Sequence, residues 1–199
     1  MEFDVRTAQP EDLDTVVSLL TESFFDDPVM MWAFDASVRK RRLDVMWRIM
    51  AKDGYIPSGA ATILPGGDGA ALWMPPGQSL DEAFWTEHGA ELATGLEGDL
   101  DRIGQLSEAM DGSHPTEEHF YLLAIGIHPD AQGRGLGGTL LSHTLALADD
   151  AAKPAYLEAT SARSRALYER FGFEVTGELH PGDGPTLWCM WREPNVSGS

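Results

Sequence analysis

The stretch Ile127-His128-Pro129-Asp130-Ala131-Gln132-Gly133-Arg134-Gly135-Leu136-Gly137-Gly138-Thr139 joins an apolar run to an amphipathic one. The run before it, His119 to Ile127, is rich in aliphatic and aromatic residues and reads as a buried strand. Pro129 cannot continue strand pairing, so the chain leaves the sheet there. A helix follows over about 135–150. Glycines at such a junction let the backbone approach a ligand closely, and the free amides of a helix N-terminus favour a phosphate. A helix that merely begins with glycines would lose stability for no return.

Two kinds of phosphate-binding loop share this composition. Gly133, Gly135 and Gly138 fit the dinucleotide pattern G-x-G-x-x-G, with the acid Glu158 twenty residues beyond the last glycine. In that fold the first glycine follows its strand almost at once, whereas five residues, 128–132, intervene here. The loop also lies two-thirds along the chain, too late for the strand–helix units a dinucleotide fold still needs.

Working outward, Pro154–Thr160 reads as a strand, 162–171 as a helix, and 172–179 and 186–192 as two more strands. A strand–helix–strand order implies a right-handed parallel crossover. Upstream, residues 2–7 form a short strand, and Pro10 with Glu11 and Asp12 opens a helix that Asp26-Asp27-Pro28 ends. A helix over about 36–52 and two strands near 60–64 and 69–74 follow, the strands joined by the Pro65-Gly66-Gly67-Asp68 turn. Residues 79–111 look helical but broken by Gly89, Gly95, Gly98 and Gly104 into two or three pieces. The fold class is α/β: one domain with a mixed, twisted sheet of about six to seven strands flanked by helices.

The chain of 199 residues is long enough to bury its own core without a metal or disulfide staple. Cys189 is the only cysteine, which forbids internal disulfides and multi-cysteine metal sites, and no metal is expected. No 18-residue apolar run and no secretory signal are visible, so a cytoplasmic protein is expected. The net charge of −18 opposes binding to nucleic acid and anionic membranes, both of which are held chiefly through Lys and Arg. Residues 78–118 carry eleven Asp and Glu against one base, Arg102. They are either a solvated surface or an acidic rim for a cationic ligand. Arg39, Lys40, Arg41, Arg42 and Arg48 read as a solvated helix face.

Gln132-x-x-Gly135-x-Gly137, preceded by Ile127-His128-Pro129, resembles the acyl-CoA loop of the GNAT superfamily of N-acetyltransferases. Leu167-Tyr168-Glu169-Arg170-Phe171-Gly172-Phe173 resembles that superfamily's second signature, in the same order and at the expected distance. The resemblance covers about 117–192. Asp26-Asp27-Pro28, Leu72-Trp73-Met74-Pro75-Pro76-Gly77 and Trp188-x-Met190 look most like its puromycin-acetyltransferase-like bacterial branch.

The resemblance implies a single acyl-CoA N-acyltransferase domain over 1–193, a flexible tail over 194–199, and a splayed parallel strand pair at the acyl-CoA site. It implies acetyl-CoA as cosubstrate, its pyrophosphate on Gln132, Gly133, Arg134, Gly135, Leu136, Gly137 and Gly138, with Thr139 adding a hydroxyl. The pantetheine arm would pair with the backbone of Ile125 and Ile127. The Ile127 amide would polarise the thioester carbonyl, and Ser164 stands near the place of an asparagine that many relatives use on the CoA arm. Tyr168 would be the general acid for the departing thiolate. Gly126 would sit between the pantetheine-facing positions, with a plain strand bulge as its other reading.

The general base is open at this level. Where some relatives carry a glutamate, this chain has Tyr121, with His119 on the same face. Glu158 on the next strand is the alternative, since partial burial raises a carboxyl pKa; a water chain is another. Phe24, Phe25, Asp26 and Asp27, with Trp32, Phe34, Trp73 and Met74, are candidates to line an acceptor cleft suited to a small, cationic amine. The implied activity is transfer of an acetyl group to a primary amine of a small molecule. An acyl-CoA sensor without turnover and a protein-lysine acetyltransferase also fit these residues. Pairing edges on the last strands would permit a homodimer.

Overall fold

The computed structural model describes residues 4–195. They form a seven-stranded sheet in the order β1-β2-β3-β4-β5-β7-β6. The strands are β1 (Arg6–Thr7), β2 (Ala61–Ile63), β3 (Gly69–Met74), β4 (Phe120–Ile127), β5 (Ala155–Ala159), β6 (Glu174–Leu179) and β7 (Leu187–Arg192). Only β4 and β5 run parallel. Residues 196–199 of the expected tail and the start of the expected first strand lie outside the described residues. Among the described residues no helix is long and apolar enough to cross a membrane.

Side-chain alternation along the strands divides the core in two. Leu72, Tyr156 and Cys189 face α1 (Leu13–Ser23), α2 (Pro28–Ala33) and α3 (Arg39–Ile49). Trp73, Leu122, Leu157 and Met190 face α6 (Leu136–Asp150) and α7 (Ala162–Glu169). The helix read over 36–52 is α3, which continues as a wide turn over Met50–Tyr55. The six-residue α2 carries too short a pattern to be read from sequence. Asp27 caps it, accepting from Val29 N at 2.9 Å and Met30 N at 3.3 Å.

Residues 79–111 form two helices, α4 (Glu82–Gly95) and α5 (Leu100–Asp111). Gly98, at φ +93°, makes the turn between them, a conformation glycine adopts freely. Gly89 and Gly104 stay inside helices. The reading of Arg39–Arg42 as a solvated face needs correction, because Arg39 and Arg42 are both buried. Arg39 donates to the Phe34 and Phe25 carbonyls, at 3.3 and 3.1 Å. Arg42 donates to Asp99 at 3.1 Å and to the carbonyls of Gly95 and Glu97. Helix ends leave carbonyls without partners, and these two guanidinium groups satisfy them, so they turn inward. Arg42 thereby ties the α4–α5 pair to α3.

One irregularity positions everything that follows. Leu72 pairs with Ala124 and Trp73 with Leu122, leaving Leu123 as an extra residue in β4. This bulge puts Leu123 and Ala124 against the same core and sends Ile125 to the other. It also bends β4, whose pairing with β5 ends at Leu122 and Leu157. Gly126 is therefore not the bulge. A Cβ there would stand 2.8 Å from Ser23 Oγ and 3.0 Å from Leu20, so its glycine admits α1 against the strand.

Candidate active site

Beyond Leu122 and Leu157 the parallel strands have no further paired residues, and a gap opens between 123–127 and 158–160. His128 N donates to Asp68 O, on the β3 side. The alternation of an antiparallel pair then turns the backbone groups of Gly126 and Ala124 toward β3 and those of Ile125 and Ile127 toward the gap. The Ile127 carbonyl is held there by Ser23 Oγ at 3.1 Å and Gln132 Nε2 at 3.3 Å. Gln132 thus clips the glycine loop to the end of β4.

The loop turns through Pro129–Ala131 and then through Gly133 (φ +76°) and Gly135 (φ +82°). A Cβ on either glycine would meet nothing within 4 Å, so this face of the loop is open. Gly135 stands at the N-cap of α6, where no side chain satisfies the helix amides. Open glycine backbone leading to an uncapped helix N-terminus suits a phosphate group. The other loop residues divide by what they touch. Leu136 is buried in the core beneath the loop. At Gly137 and Gly138 a Cβ would approach Leu167 at 3.6 Å and Phe171 at 3.0 Å, so they bring α6 close to α7. Thr139 Oγ1 lies 3.5 Å from Gly135 O in the first turn of α6, and Arg134 is exposed, 3.9 Å from Asp68. Ser164 is spent locally. It closes a capping box with Ser161, accepting from Ser161 N at 3.2 Å and donating to Ser161 O at 2.9 Å. Its proton is therefore not free for a ligand.

Glu158 is the first residue of β5 past the last pair with β4. Tyr121 Oη donates to its Oε2 at 3.0 Å, while Oε1 is buried with no partner among the described residues. Burial disfavours the charged carboxylate and pushes its pKa up to about 7, with the neighbouring Tyr156 and Tyr121 phenols opposing the rise. Burial also drives the Tyr121 phenol well above its ordinary value, with the Glu158 charge adding to it. Tyr121 therefore stays protonated and orients the carboxylate; it is not itself a proton acceptor. His119 is buried with its Nδ1 2.6 Å from Glu117 O, packed among Tyr156, Trp191 and His114.

Tyr168 belongs to the opposite core and packs edge-on against Phe173. Burial raises its pKa, and the charge of Asp27 raises it further, so the phenol holds its proton. Asp27 accepts a hydrogen bond from Thr160, just past β5. The end of α1, the start of α2 and the diverging strand are thereby tied together.

On the Glu158 side lies a cleft of about 750 Å³. Phe24 and Met74 line it as expected, but the other six expected residues, Phe25, Asp26, Asp27, Trp32, Phe34 and Trp73, do not. Trp73 points to the α6 side because of strand alternation, and Phe34 is fully buried. Trp32 stands outside, donating to Asp183 at 2.8 Å. Instead α4 and α5 close the cleft with Trp85, Leu92, Ile103, Leu106 and Met110. The spacing of the α5 residues, 103, 106 and 110, is the sequence signal that these helices have an inward face.

Residues 97–175 match the sequence profile described as Acetyltransferase (GNAT) domain. Over 96% of its length the chain is 25% identical to an uncharacterized N-acetyltransferase of Schizosaccharomyces pombe, 83% of which it covers. It shares 34% identity with a mycothiol acetyltransferase of Mycolicibacterium smegmatis, over 60% of this chain and 44% of that protein. The crystal structure of a Corynebacterium glutamicum protein, described as histone acetyltransferase HPA2 and related acetyltransferase, superposes with a TM-score of 0.75 at 26% identity, covering all of both chains. The chain carries a GNAT acetyltransferase domain. It is an acetyltransferase enzyme, of a superfamily that moves acetyl groups to amines and generally draws them from acetyl-CoA.

For a GNAT acetyltransferase, the loop geometry carries a direct prediction. Gly135→Val places a β-branched residue at φ +82°, and its side chain on the open face of the loop. We expect the Kd for acetyl-CoA to rise by on the order of 100-fold, with the melting temperature changed by only a few degrees. Isothermal titration of the variant checks this, and wild-type affinity would remove the loop from the binding site.

Proposed function

We propose that this protein transfers the acetyl group of acetyl-CoA to the primary amine of a small molecule, with Glu158 as general base and Tyr168 as general acid. The observation that carries this reading is the buried Glu158 carboxylate, one oxygen held by Tyr121 and the other unpartnered at the cleft. The fit of the cosubstrate is supported by the open glycines, the uncapped α6 and the outward backbone of Ile125 and Ile127. When bound, acetyl-CoA supplies an acetyl group activated as a thioester. In this reading Gly133, Arg134, Gly135, Thr139 and the first amides of α6 hold its phosphates, with Gln132, Leu136, Gly137 and Gly138 keeping the loop in shape.

An ammonium group must lose a proton before its nitrogen can attack a carbonyl. Glu158, poised near neutral pH, accepts that proton and passes it to solvent through the open cleft. As the carbon–nitrogen bond forms and the carbon–sulfur bond breaks, the nitrogen sheds a second proton. Tyr168 gives its own proton to the departing sulfur and is reprotonated, which balances that second one. The third stays on the amide product. The Ile127 amide, directed into the gap, stabilises negative charge developing on the carbonyl oxygen. An acyl-CoA sensor would have no use for a buried, unpartnered carboxylate, so the geometry favours turnover.

The test pairs binding with turnover. Acetyl-CoA at about 100 times its Kd should add roughly 2.7 kcal/mol of stability, a shift of several degrees, while NAD adds none. Free thiol should then appear on addition of amines, one per acetyl group transferred. Binding without thiol release across a broad amine panel would establish the sensor reading instead. Absence of any acetyl-CoA shift would overturn the cosubstrate.

A further inference from the structure

We infer that the acceptor is a monoamine whose nitrogen is borne on a bulky, largely apolar body, of arylalkyl or alicyclic type; this rests on the acetyl-transfer reading above. The cleft of about 750 Å³ falls in the range that encloses a drug-sized ligand and exceeds what an amine head on a short chain fills. Its wall is unusual in composition. Met30, Met46, Met50, Met74 and Met110 reach it from α2, α3, the wide turn after α3, β3 and α5. Trp47 and Trp85 add aromatic surface. Methionine is flexible and polarisable, and it moulds to apolar and aromatic shapes without demanding a hydrogen bond.

Polar groups are distributed very differently. Asp111 and Glu117 are exposed at the mouth, Glu118 beside them is paired with Lys153 at 2.7 Å, and among the described residues no Lys or Arg lines the cleft itself. Inside, Glu158 is the one carboxylate among the described residues, and its Oε1 lacks a partner among them. Exposed acids draw a cation to the opening, and one buried carboxylate oxygen receives one ammonium group. A diamine would leave its second charge either among methionines, where burial without a partner is costly, or at the rim with most of the apolar volume unfilled. A lysine side chain is a narrow methylene chain and would leave the same wall uncovered. A bulky apolar body fills it, and each methylene taken from water contributes to transition-state binding.

The experiment compares three acceptors of matched amine basicity in the thiol-release assay: 2-phenylethylamine, 1,4-diaminobutane and a short lysine peptide. We expect 2-phenylethylamine to exceed each of the others by at least about tenfold in kcat/KM. Met110→Glu, which adds a second carboxylate at a half-exposed wall position, should narrow or reverse the preference over the diamine by a similar factor. Equal or better turnover of the diamine or the peptide by the wild type would overturn the inference and leave acetyl transfer standing. Thermal unfolding with each amine and no acetyl-CoA separates the two readings. A shift with 2-phenylethylamine alone, in protein that releases no thiol, would support the cleft's selectivity and overturn the transfer reading. No shift and no turnover with 2-phenylethylamine would overturn the acceptor class.

Discussion

Glu158→Gln should lower kcat/KM by about 10²- to 10⁴-fold at pH 8, the range expected when a general base is lost, and raise the melting temperature at the same pH. Both effects come from one buried carboxyl. In the wild type, kcat/KM should climb tenfold per pH unit on the acid side and level off above about 7, where Glu158 becomes ionised. The variant should lose that limb. Stability runs the opposite way. The folded protein holds the Glu158 proton more tightly than the unfolded chain does, so this group's favourable contribution is complete below its ordinary value of 4.5. It is lost as pH rises through about 7, after which a charge sits buried with one oxygen unpartnered. Glutamine removes that charge and still accepts from Tyr121, a gain on the order of 2 kcal/mol at pH 8 and none at pH 4. Steady-state rates and melting curves at the two pH values check the pair together. An unchanged rate would remove Glu158 from the mechanism, and a variant less stable at pH 8 would overturn the account of its burial.

Tyr168→Phe should lower kcat by about 10²- to 10⁴-fold and leave the Kd for acetyl-CoA within about twofold. The phenol is deeply buried and kept protonated by its surroundings and by Asp27, so in the proposed mechanism its proton is present for the departing sulfur. Removing one oxygen from a side chain whose ring packs on Phe173 preserves the fit of α7 on the sheet. An acetyl donor with a far more acidic thiol needs no proton on departure, so its turnover should fall much less in the variant. That rescue distinguishes an acid from a packing residue. A rate within twofold of wild type on acetyl-CoA would show that the thiolate leaves unaided.

The strand, the glycine loop and the helix after it were legible because their signals are local. Proline ends a strand and glycine at positive φ shapes a loop whatever the rest of the chain does, so β4, the loop and α6 follow from the residues between His119 and Asp150. The β2–β3 hairpin and the β5–α7–β6–β7 succession follow from alternation and spacing in the same way. The acceptor cleft was much less legible, because α4 and α5 carry mostly exposed residues and only the 103, 106 and 110 spacing marks an inward face.

The mixed α/β fold, the loop that suits a phosphate, and the candidate bases Tyr121, His119 and Glu158, beside a water chain, are thus readable from local pattern. What sets the three side chains apart is burial that only the folded chain creates. A carboxyl near neutrality needs desolvation, and the groups that desolvate Glu158 come from strands and helices distant in the chain. The extra residue at Leu123 shifts the facing of β4 and lets β5 diverge, which local periodicity does not reveal. Arg39 and Arg42 turn inward for the same kind of reason: the carbonyls they satisfy exist only once neighbouring helices end beside them.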